Sequence, residues 1–165
     1  MLESLLNEIR DEAGLTKRVL ERVPEDKLAW RPHEKSMSLG QLSLHVANIP
    51  GSIAGLAQLD EFDASQANFE PPQPESLEEI LKTLDDSVKT AEDYISGVDE
   101  KSAAANWRLT AGGKEVFSLP RAGLLRKIML NHWYHHRGQL SVYLRLLDVP
   151  VPAIYGRSAD DNPFG

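Results

Sequence analysis

The sequence predicts an all-α fold: a four-helix bundle with a short hairpin or extended insertion between its third and fourth helices. Three observations support this class. Four long segments place apolar residues at helical spacing, two serines stand in capping patterns before such segments, and the one β-like stretch is short and contains two glycines. Amphipathic helices bury their apolar faces against one another, so four of them favour a bundle. A chain of 165 residues is expected to form one domain, residues 1–165.

The first predicted helix covers residues 2–22 and stops before Pro24. Its apolar positions are Leu2, Leu5, Leu6, Ile9, Ala13, Leu20 and Val23. Pro24 and Pro32 break the segment that follows, which is predicted to be a loop with a single turn near residues 26–29.

The second predicted helix begins at Leu39, because Ser38 and Gln41 have the spacing of a capping box, in which each side chain accepts a backbone hydrogen bond. It runs to about Leu59, and Pro50 is expected to kink it because proline removes one backbone hydrogen bond. The inner face of this helix is predicted to contain Leu42, His45, Ile49, Ile53 and Leu56.

The third predicted helix follows an irregular connection, residues 60–75, which contains three prolines. Ser76 and Glu79 form a second capping-box pattern at its start. The helix is therefore expected over residues 77–96, with Gly97 placed to end it.

The fourth predicted helix follows the β-like insertion. Residues 106–118 carry β-type side chains on both sides of Ala-Gly-Gly, which predicts a small hairpin or an extended loop with a glycine turn. Pro120 suits the first turn of a helix, and an apolar pattern continues from there to Leu147.

The tail, residues 148–165, is too rich in proline and glycine to continue the helix. It is expected to cross the bundle as an ordered strap or to remain loose. Asp160 and Asp161 are predicted to be solvated, and the alternative is that they pair with Arg137.

Composition excludes several functional classes. The formal charge is −7, and the densest basic cluster is only Arg121, Arg126 and Lys127, so nucleic acids and membranes are not expected as partners. The chain has no cysteine, which excludes disulfides, thiolate metal sites and cysteine nucleophiles. Its N-terminal residues include acidic side chains and no long apolar run, so neither a signal peptide nor a membrane span is expected, and the protein is placed in the cytoplasm.

Three histidines are predicted to face the core. On helix four, His132 and His136 are about 40° apart in projection and one turn apart along the axis. His45 lies between apolar residues on helix two. Buried imidazoles without partners cost on the order of 1–3 kcal/mol each, and one divalent cation would satisfy all three while leaving positions open for water or substrate. The alternative is three core histidines, each bonded to a carboxylate or a carbonyl.

The stripe of helix four that contains His132 and His136 is predicted to face the core, while Tyr134, Arg137 and Ser141 point elsewhere. Its other members are Leu125, Ile128, Met129, Gln139, Leu140, Tyr143, Leu146 and Leu147. The metal site would then lie in the middle of the packed helices.

Further residues are candidates for the surroundings of the site. His135 is at the edge of the histidine stripe and is expected to support a ligand or to stand at the rim. Gln139 would orient a ligand or a bound water, or be a satisfied core amide. Tyr143 and Trp30 are candidate pocket residues or core aromatics. His33, in a proline-bounded loop, is predicted to be solvated, with a place in a pocket as the alternative.

Four sequence segments carry a resemblance to a known family. They are "WRP" at 30–32, "SMSLGQLSLHVANIPG" at 36–51, "HWYHHRGQLSVYLRLLDVPVP" at 132–152 and "IYGRSADD" at 154–161. In this order, and over nearly the whole chain, they resemble the DinB family, also called DinB/YfiT-like metalloenzymes. The HxxxHRGQ segment paired with an upstream serine-to-histidine segment is the most specific part.

The resemblance implies a four-helix bundle, often a homodimer, with one divalent metal ion, commonly nickel or zinc, on three histidines. Matched residue by residue, these are His45, His132 and His136. Characterised relatives include transferases and isomerases that depend on low-molecular-weight thiols such as bacillithiol or mycothiol. The expected function is a metal-dependent, thiol S-transferase-like enzyme acting on small molecules. The alternatives are a metal-dependent hydrolase and a non-catalytic, metal-stabilised, stress-related dimer.

Overall fold

A computed structural model describes residues 1–164 of the chain, most of which are helical. The helices are α1 (Leu2–Leu20), α2 (Leu39–Ala57), α3 (Leu77–Gly97), α4 (Glu100–Ala104), α5 (Arg121–Gly123) and α6 (Asn131–Leu146), and a π-helical segment, Leu124–Leu130, joins α5 to α6. The strands are β1 (Glu61–Asp63), β2 (Asn106–Ala111) and β3 (Lys114–Pro120), and short 3-10 turns occupy Glu25–Lys27 and Ala64–Gln66. Within residues 1–164, no helix is both long enough and apolar enough to cross a membrane.

Side-chain caps define the starts of α2 and α3. Ser38 Oγ accepts a hydrogen bond from the Gln41 N–H at 3.1 Å, and Gln41 Oε1 accepts one from the Ser38 N–H at 3.0 Å, so the predicted capping box is confirmed. Ser76 Oγ likewise accepts the Glu79 N–H at 3.1 Å. The Glu79 carboxylate, however, accepts the N–H of Glu75 at 2.7 Å, so the second predicted box is formed on one side only.

A close approach between α2 and α3 lies next to the helix proline. Pro50 has no N–H, and the N–H of Gly51 donates to the Ser87 hydroxyl of α3 at 2.7 Å. A Cβ atom at position 51 would lie 2.9 Å from Ser87 Cα, so only glycine permits this approach. The two helices therefore pack backbone to backbone at this point.

The chain is not all-α, because a three-stranded sheet lies beside the helices. The predicted hairpin is confirmed as antiparallel β2 and β3, and Gly112 and Gly113 in its turn have φ values of 57° and 78°, which glycine adopts without strain. β1 falls inside the predicted connection, residues 60–75, and pairs in parallel with β2. Its three residues are too few to show an alternating pattern in the sequence, so β1 is recognised as a strand only through its pairing with β2. The short α4 was also not predicted.

The last helical region contains a change of geometry that the sequence pattern does not show. Residues 121–146 are helical, as expected for helix four, but Leu124–Leu130 is a π-helix. A π-helix closes its hydrogen bonds over five residues rather than four, so a projection at 3.6 residues per turn does not hold across it. The predicted stripe assumed one helical period over the whole region. Because of the π-helical segment, residues of α6 are rotated relative to the positions that this single period predicts.

The core-facing stripe of α6 is centred one residue away from the histidines. Its buried residues are Trp133, Arg137, Leu140 and Leu144. From the predicted stripe, Gln139 and Leu146 are exposed, and His132 and His136 are only half-buried. The prediction that Arg137 points away from the core is wrong, and the histidines lie at the boundary between core and surface.

Residues 148–164 form an ordered strap against the helices, and Gly165 lies outside the described residues. Two aspartates make many of its contacts. Asp160 is exposed, as predicted, and Asp161 is half-buried, but both are paired with arginines other than Arg137, so the alternative that they pair with Arg137 is wrong. Each accepts a backbone N–H of the strap and an arginine side chain from a helix: Asp160 with Val151 and Arg145, and Asp161 with Ala153 and Arg18.

Candidate metal site

The structure brings His45 of α2 together with His132 and His136 of α6. One ring nitrogen of each residue lies within 4.8 Å of those of the other two. Nε2 of His45 and Nε2 of His132 are 3.1 Å apart, and the ring centroid of His136 is 4.5 Å from each of the other two. The pair four residues apart on one helix and the single histidine on the facing helix therefore form one cluster.

Rigid elements hold these rings in place. On α2, the buried Leu42 and Ile49 lie three residues before and four residues after His45 and anchor that helix to the core. On α6, the fully buried Trp133 and Leu140 do the same for the segment that carries the other two histidines. Because α2 and α6 pack directly on each other, the three imidazoles meet at the helix interface.

Burial favours the neutral form of all three imidazoles. Burial, followed by the charges of His136 and His132, lowers the pKa of His45 to about 4. Burial, followed by the charges of His136 and His135, lowers the pKa of His132 to about 4. The pKa of His136 is also lowered, chiefly by burial, although its hydrogen bond to Gln139 opposes the change. Neutral imidazole is the form that binds a metal ion.

The separation of His45 and His132 suits two ligands of one divalent cation. Two nitrogens bonded to one tetrahedral ion at about 2.0–2.1 Å are about 3.3 Å apart. The 3.1 Å between the Nε2 atoms of His45 and His132 is close to this separation. Imidazole donors suit zinc, nickel, copper and iron. The three histidines could therefore hold a divalent metal ion.

Gln139 supports the ring of His136. Its Oε1 accepts a hydrogen bond from Nδ1 of His136 at 2.6 Å, which leaves the Nε2 lone pair for an ion. The Gln139 side chain is exposed rather than part of the core, and its orienting role stays a prediction. His135 is exposed at the rim, with its ring centroid 4.8 Å from that of His136.

A cleft of about 430 Å³ opens onto the cluster, and His45 and His132 line it. Its walls come from α2, α3, β1 and the connection between β1 and α3. The apolar members are Leu44, Ile53, Leu56, Phe62, Phe69, Pro71 and Pro72, and the other members are Asn48, Ser52, Glu79 and Thr83. An ion on the histidines would have a side that small molecules can reach, which is typical of catalytic rather than structural metal sites.

The aromatic candidates pack against each other. Trp30 and Tyr143 form an edge-to-face pair with ring centroids 5.8 Å apart, and the Tyr143 hydroxyl donates to the carbonyl oxygen of Met37 at 3.3 Å. This pair joins the loop before α2 to α6, which supports the core-aromatic alternative. His33 is exposed, and its Nδ1 accepts the N–H of Lys35 at 3.1 Å, in agreement with a solvated residue.

A second polar cluster, the Arg137 cluster, lies on the α1-facing side of α6 and was not predicted. The Arg137 guanidinium pairs with the Glu12 carboxylate at 2.6 Å, with side chains 2% and 11% exposed. It also donates to the Thr16 hydroxyl at 3.0 Å and to the Tyr155 hydroxyl. The Tyr155 hydroxyl in turn donates to Glu12 at 2.8 Å. These contacts join α1, α6 and the strap.

The sequence indicates the α1 members of this cluster but not their partner on α6. Glu12 and Thr16 follow the buried Ile9 at spacings of three and seven, so they fall on the buried face of α1. A buried carboxylate needs a partner, and this requirement could have been stated from the sequence. The partner itself could not, because Arg137 is 125 residues away and meets Glu12 only when the helices pack.

Comparison with known proteins gives the family. The model of the family described as "DinB family" matches residues 1–162. The chain belongs to the DinB family. Among curated proteins, the uncharacterized protein YrdA of Bacillus subtilis is 25% identical over 167 residues, which cover 97% of this chain and 91% of that protein.

Two crystal structures of DinB-like proteins share the fold of this DinB-family protein. One, from Bacillus cereus, has a TM-score of 0.72 at 20% identity and covers 93% of this chain and 97% of that chain. The other, YjoA from Bacillus subtilis, has a TM-score of 0.69 at 16% identity and covers 94% and 99%. The family resemblance seen in the sequence is confirmed.

Proposed function

We propose that this DinB-family protein is a metal-dependent enzyme, thiol S-transferase-like, that acts on small molecules. The observation that carries the proposal is the position of the three-histidine cluster at a cleft, where three neutral nitrogens can bind one ion and leave its cleft side open. Zinc or nickel bound there would supply Lewis-acid chemistry, which lowers the pKa of a coordinated thiol or water toward neutrality.

The residues of this chain have separate roles in the proposal. His45, His132 and His136 bind the ion through ring nitrogens, and Gln139 holds the Nδ1 proton of His136 so that the opposite nitrogen is the donor. The apolar walls of the cleft exclude water and orient an organic substrate. The chain has no cysteine, so a sulfur nucleophile has to come from a small thiol.

Turnover by wild type and a ligand variant tests the proposal. Protein purified without an affinity tag and loaded with zinc or nickel is incubated with bacillithiol, mycothiol or glutathione and a panel of electrophiles, and thiol consumption is followed. Wild type is expected to exceed the background rate, and His136→Ala is expected to match the background. His135→Ala, at the exposed neighbouring histidine, is the matched control and should retain activity.

Other outcomes of the same experiment separate the alternatives. Equal rates in wild type and His136→Ala would remove the metal from the mechanism. Metal-dependent hydrolysis without any thiol would favour a hydrolase. Absence of turnover, with a melting temperature that rises on metal binding, would favour a non-catalytic, metal-stabilised protein. The homodimer that the resemblance implies is likewise a proposal, and sedimentation equilibrium measures it.

A further inference from the structure

Apolar side chains from three separate elements form the walls of the cleft beside the histidines. They include Ile53 and Leu56 of α2, Phe62 of β1, and Phe69 and Pro71 of the connection that follows β1. The cleft volume of about 430 Å³ lies within the range of about 300–1,000 Å³ that small-molecule sites occupy. The cleft is therefore large enough for a substrate with an aromatic or branched aliphatic group.

The two phenylalanines of the cleft differ in how they are covered. Phe62 is partly buried and packs against the core, so it is a fixed part of the wall. Phe69 is 71% exposed although it lines the same cleft. When a ligand removes an exposed ring beside a cleft from water, the burial of that apolar surface favours binding. Phe69 is thus the wall residue that a bound apolar group would cover.

The cap of α2 holds the connection that carries Phe69. Gln41 Nε2 donates to the carbonyl oxygen of Pro71 at 3.0 Å, in addition to its role in the capping box. Nearby, the Ser38 hydroxyl donates to Gln73 Oε1 at 2.6 Å. Gln41 lies one helical turn before His45, so the same helix start positions both the apolar wall and one of the histidines. The cleft is formed before any ligand binds, which lowers the entropy cost of binding.

The polar lining of the cleft is mostly neutral. Asn48, Ser52 and Thr83 offer an amide and two hydroxyls, and Glu79 is the acidic member. An ion on the histidines would add positive charge at the wall that His45 and His132 form, so the charges of the cleft do not by themselves exclude an anion. The apolar walls are therefore the feature that distinguishes one ligand from another.

We infer that this cleft binds the aromatic or branched aliphatic group of an organic substrate against Phe69, which acts as a specificity-determining residue. The inference rests on the proposed function for the reaction that follows, but the selectivity of binding is a property of the cleft alone. A bound molecule of this kind has the three-histidine cluster at one wall of its site, because His45 and His132 line the same cleft.

Binding of two matched probes tests the inference. N-methyl-2-naphthamide carries an aromatic ring, and N-methylacetamide carries the same amide group without the ring; each is titrated into the zinc-loaded full chain and followed by ligand-observed NMR. Wild type is expected to bind the naphthamide at least about tenfold more tightly than the acetamide, and Phe69→Ser should weaken naphthamide binding about tenfold, as expected for losing roughly half of a buried aromatic contact. Phe164→Ser is the matched control, because Phe164 is 78% exposed and lies in the strap, and it should leave binding unchanged.

A second variant fills the cleft. Ser52 is exposed on α2 and lines the cleft, so Ser52→Trp should abolish naphthamide binding while circular dichroism shows an intact helical fold. Equal naphthamide affinity in wild type and Phe69→Ser, binding of the acetamide as tight as that of the naphthamide, or no naphthamide binding at all would each overturn the inference. Because no thiol or turnover is involved, selective naphthamide binding in a protein without transferase activity would overturn the proposed function alone. Thiol transfer without an apolar preference would overturn the cleft inference alone.

Discussion

Helix α6 carries two polar clusters on adjacent faces, and they differ in how their polar atoms are satisfied. On the α1-facing side, Arg137 is 2% exposed and its guanidinium is paired with Glu12 and bonded to Thr16 and Tyr155. On the α2-facing side, the half-buried His132 and His136 meet His45, and the contacts there are ring to ring plus one amide, Gln139. The polar groups of the Arg137 cluster are paired with other protein groups, whereas the histidine cluster has nitrogen lone pairs that can bind an ion.

The difference separates a structural cluster from a candidate binding site more clearly than residue type does. Burial of a charge is tolerated when every polar atom finds a partner, and such a cluster joins elements of the fold. The imidazole nitrogens that converge at the cleft do not have such a full set of protein partners, and a bound ion would supply the missing partner. Loss of a residue should therefore affect stability in the first cluster and ligand binding in the second.

Removing Arg137 is expected to have the largest effect. Arg137→Ala leaves the buried Glu12 carboxylate without its cation, and breaking a buried pair in this way costs about 3–5 kcal/mol of unfolding free energy. Urea denaturation measures the change. Arg145→Ala is the matched control on the same helix, because that side chain is 48% exposed, and its pair with Asp160 should contribute about 1 kcal/mol or less. Similar losses in both variants would show that the Arg137 cluster is not a stabilising unit.

Removing one histidine is expected to affect metal binding instead. His132→Ala deletes a direct donor, and because loss of a group that only supports a ligand already costs about 10–100-fold, zinc affinity should fall by more than about 100-fold. The metal-free protein should unfold at nearly the same urea concentration as wild type. Calorimetric titration with zinc measures the affinity, with exposed His135→Ala as the matched control. Stoichiometric, undiminished binding by His132→Ala would rule out the three-histidine site.

The support that Gln139 gives to His136 should have a smaller effect. Gln139→Ala removes the acceptor for the Nδ1 proton of His136 and is expected to weaken zinc binding about tenfold. Gln139→Glu restores an acceptor at the same position and should restore affinity. Zinc titrations of the two variants measure this effect, and equal affinity in both would leave Gln139 without a role at the site.

Acidification should have the smallest effect between pH 7 and 5.5. The pKa values of His45 and His132 are lowered to about 4, and the pKa of His136 is also lowered, so protons compete with the ion less than they would at three histidines with the ordinary value of 6.5. Zinc affinity should change less than about tenfold over this range and fall steeply below it. Calorimetric titrations at several pH values measure the affinity, and a decline that begins near pH 6.5 would contradict the effect of burial.

Local patterns predicted the parts of the fold that depend on local chemistry. Helices start where Ser38 and Ser76 cap them, and the β2–β3 hairpin turns at Gly112 and Gly113, since capping and turn geometry act over a few residues. Strand β1 and the π-helical segment were missed, because one exists through pairing with a distant strand and the other changes the number of residues per turn without a composition signal. The all-α class was wrong for the first of these reasons.

By itself, the sequence determined which side chains could form a metal site. Spacing on one helix selected His132 and His136 as a pair, and the apolar neighbours of His45 turned it inward. Only the tertiary structure decided that these rings meet at the edge of a cleft, and that the next residue after His136 belongs to a closed ion pair. His45 and His132 are 87 residues apart, and Glu12 and Arg137 are 125 apart, so both contacts depend on how whole helices pack, which a periodic pattern within one helix does not encode.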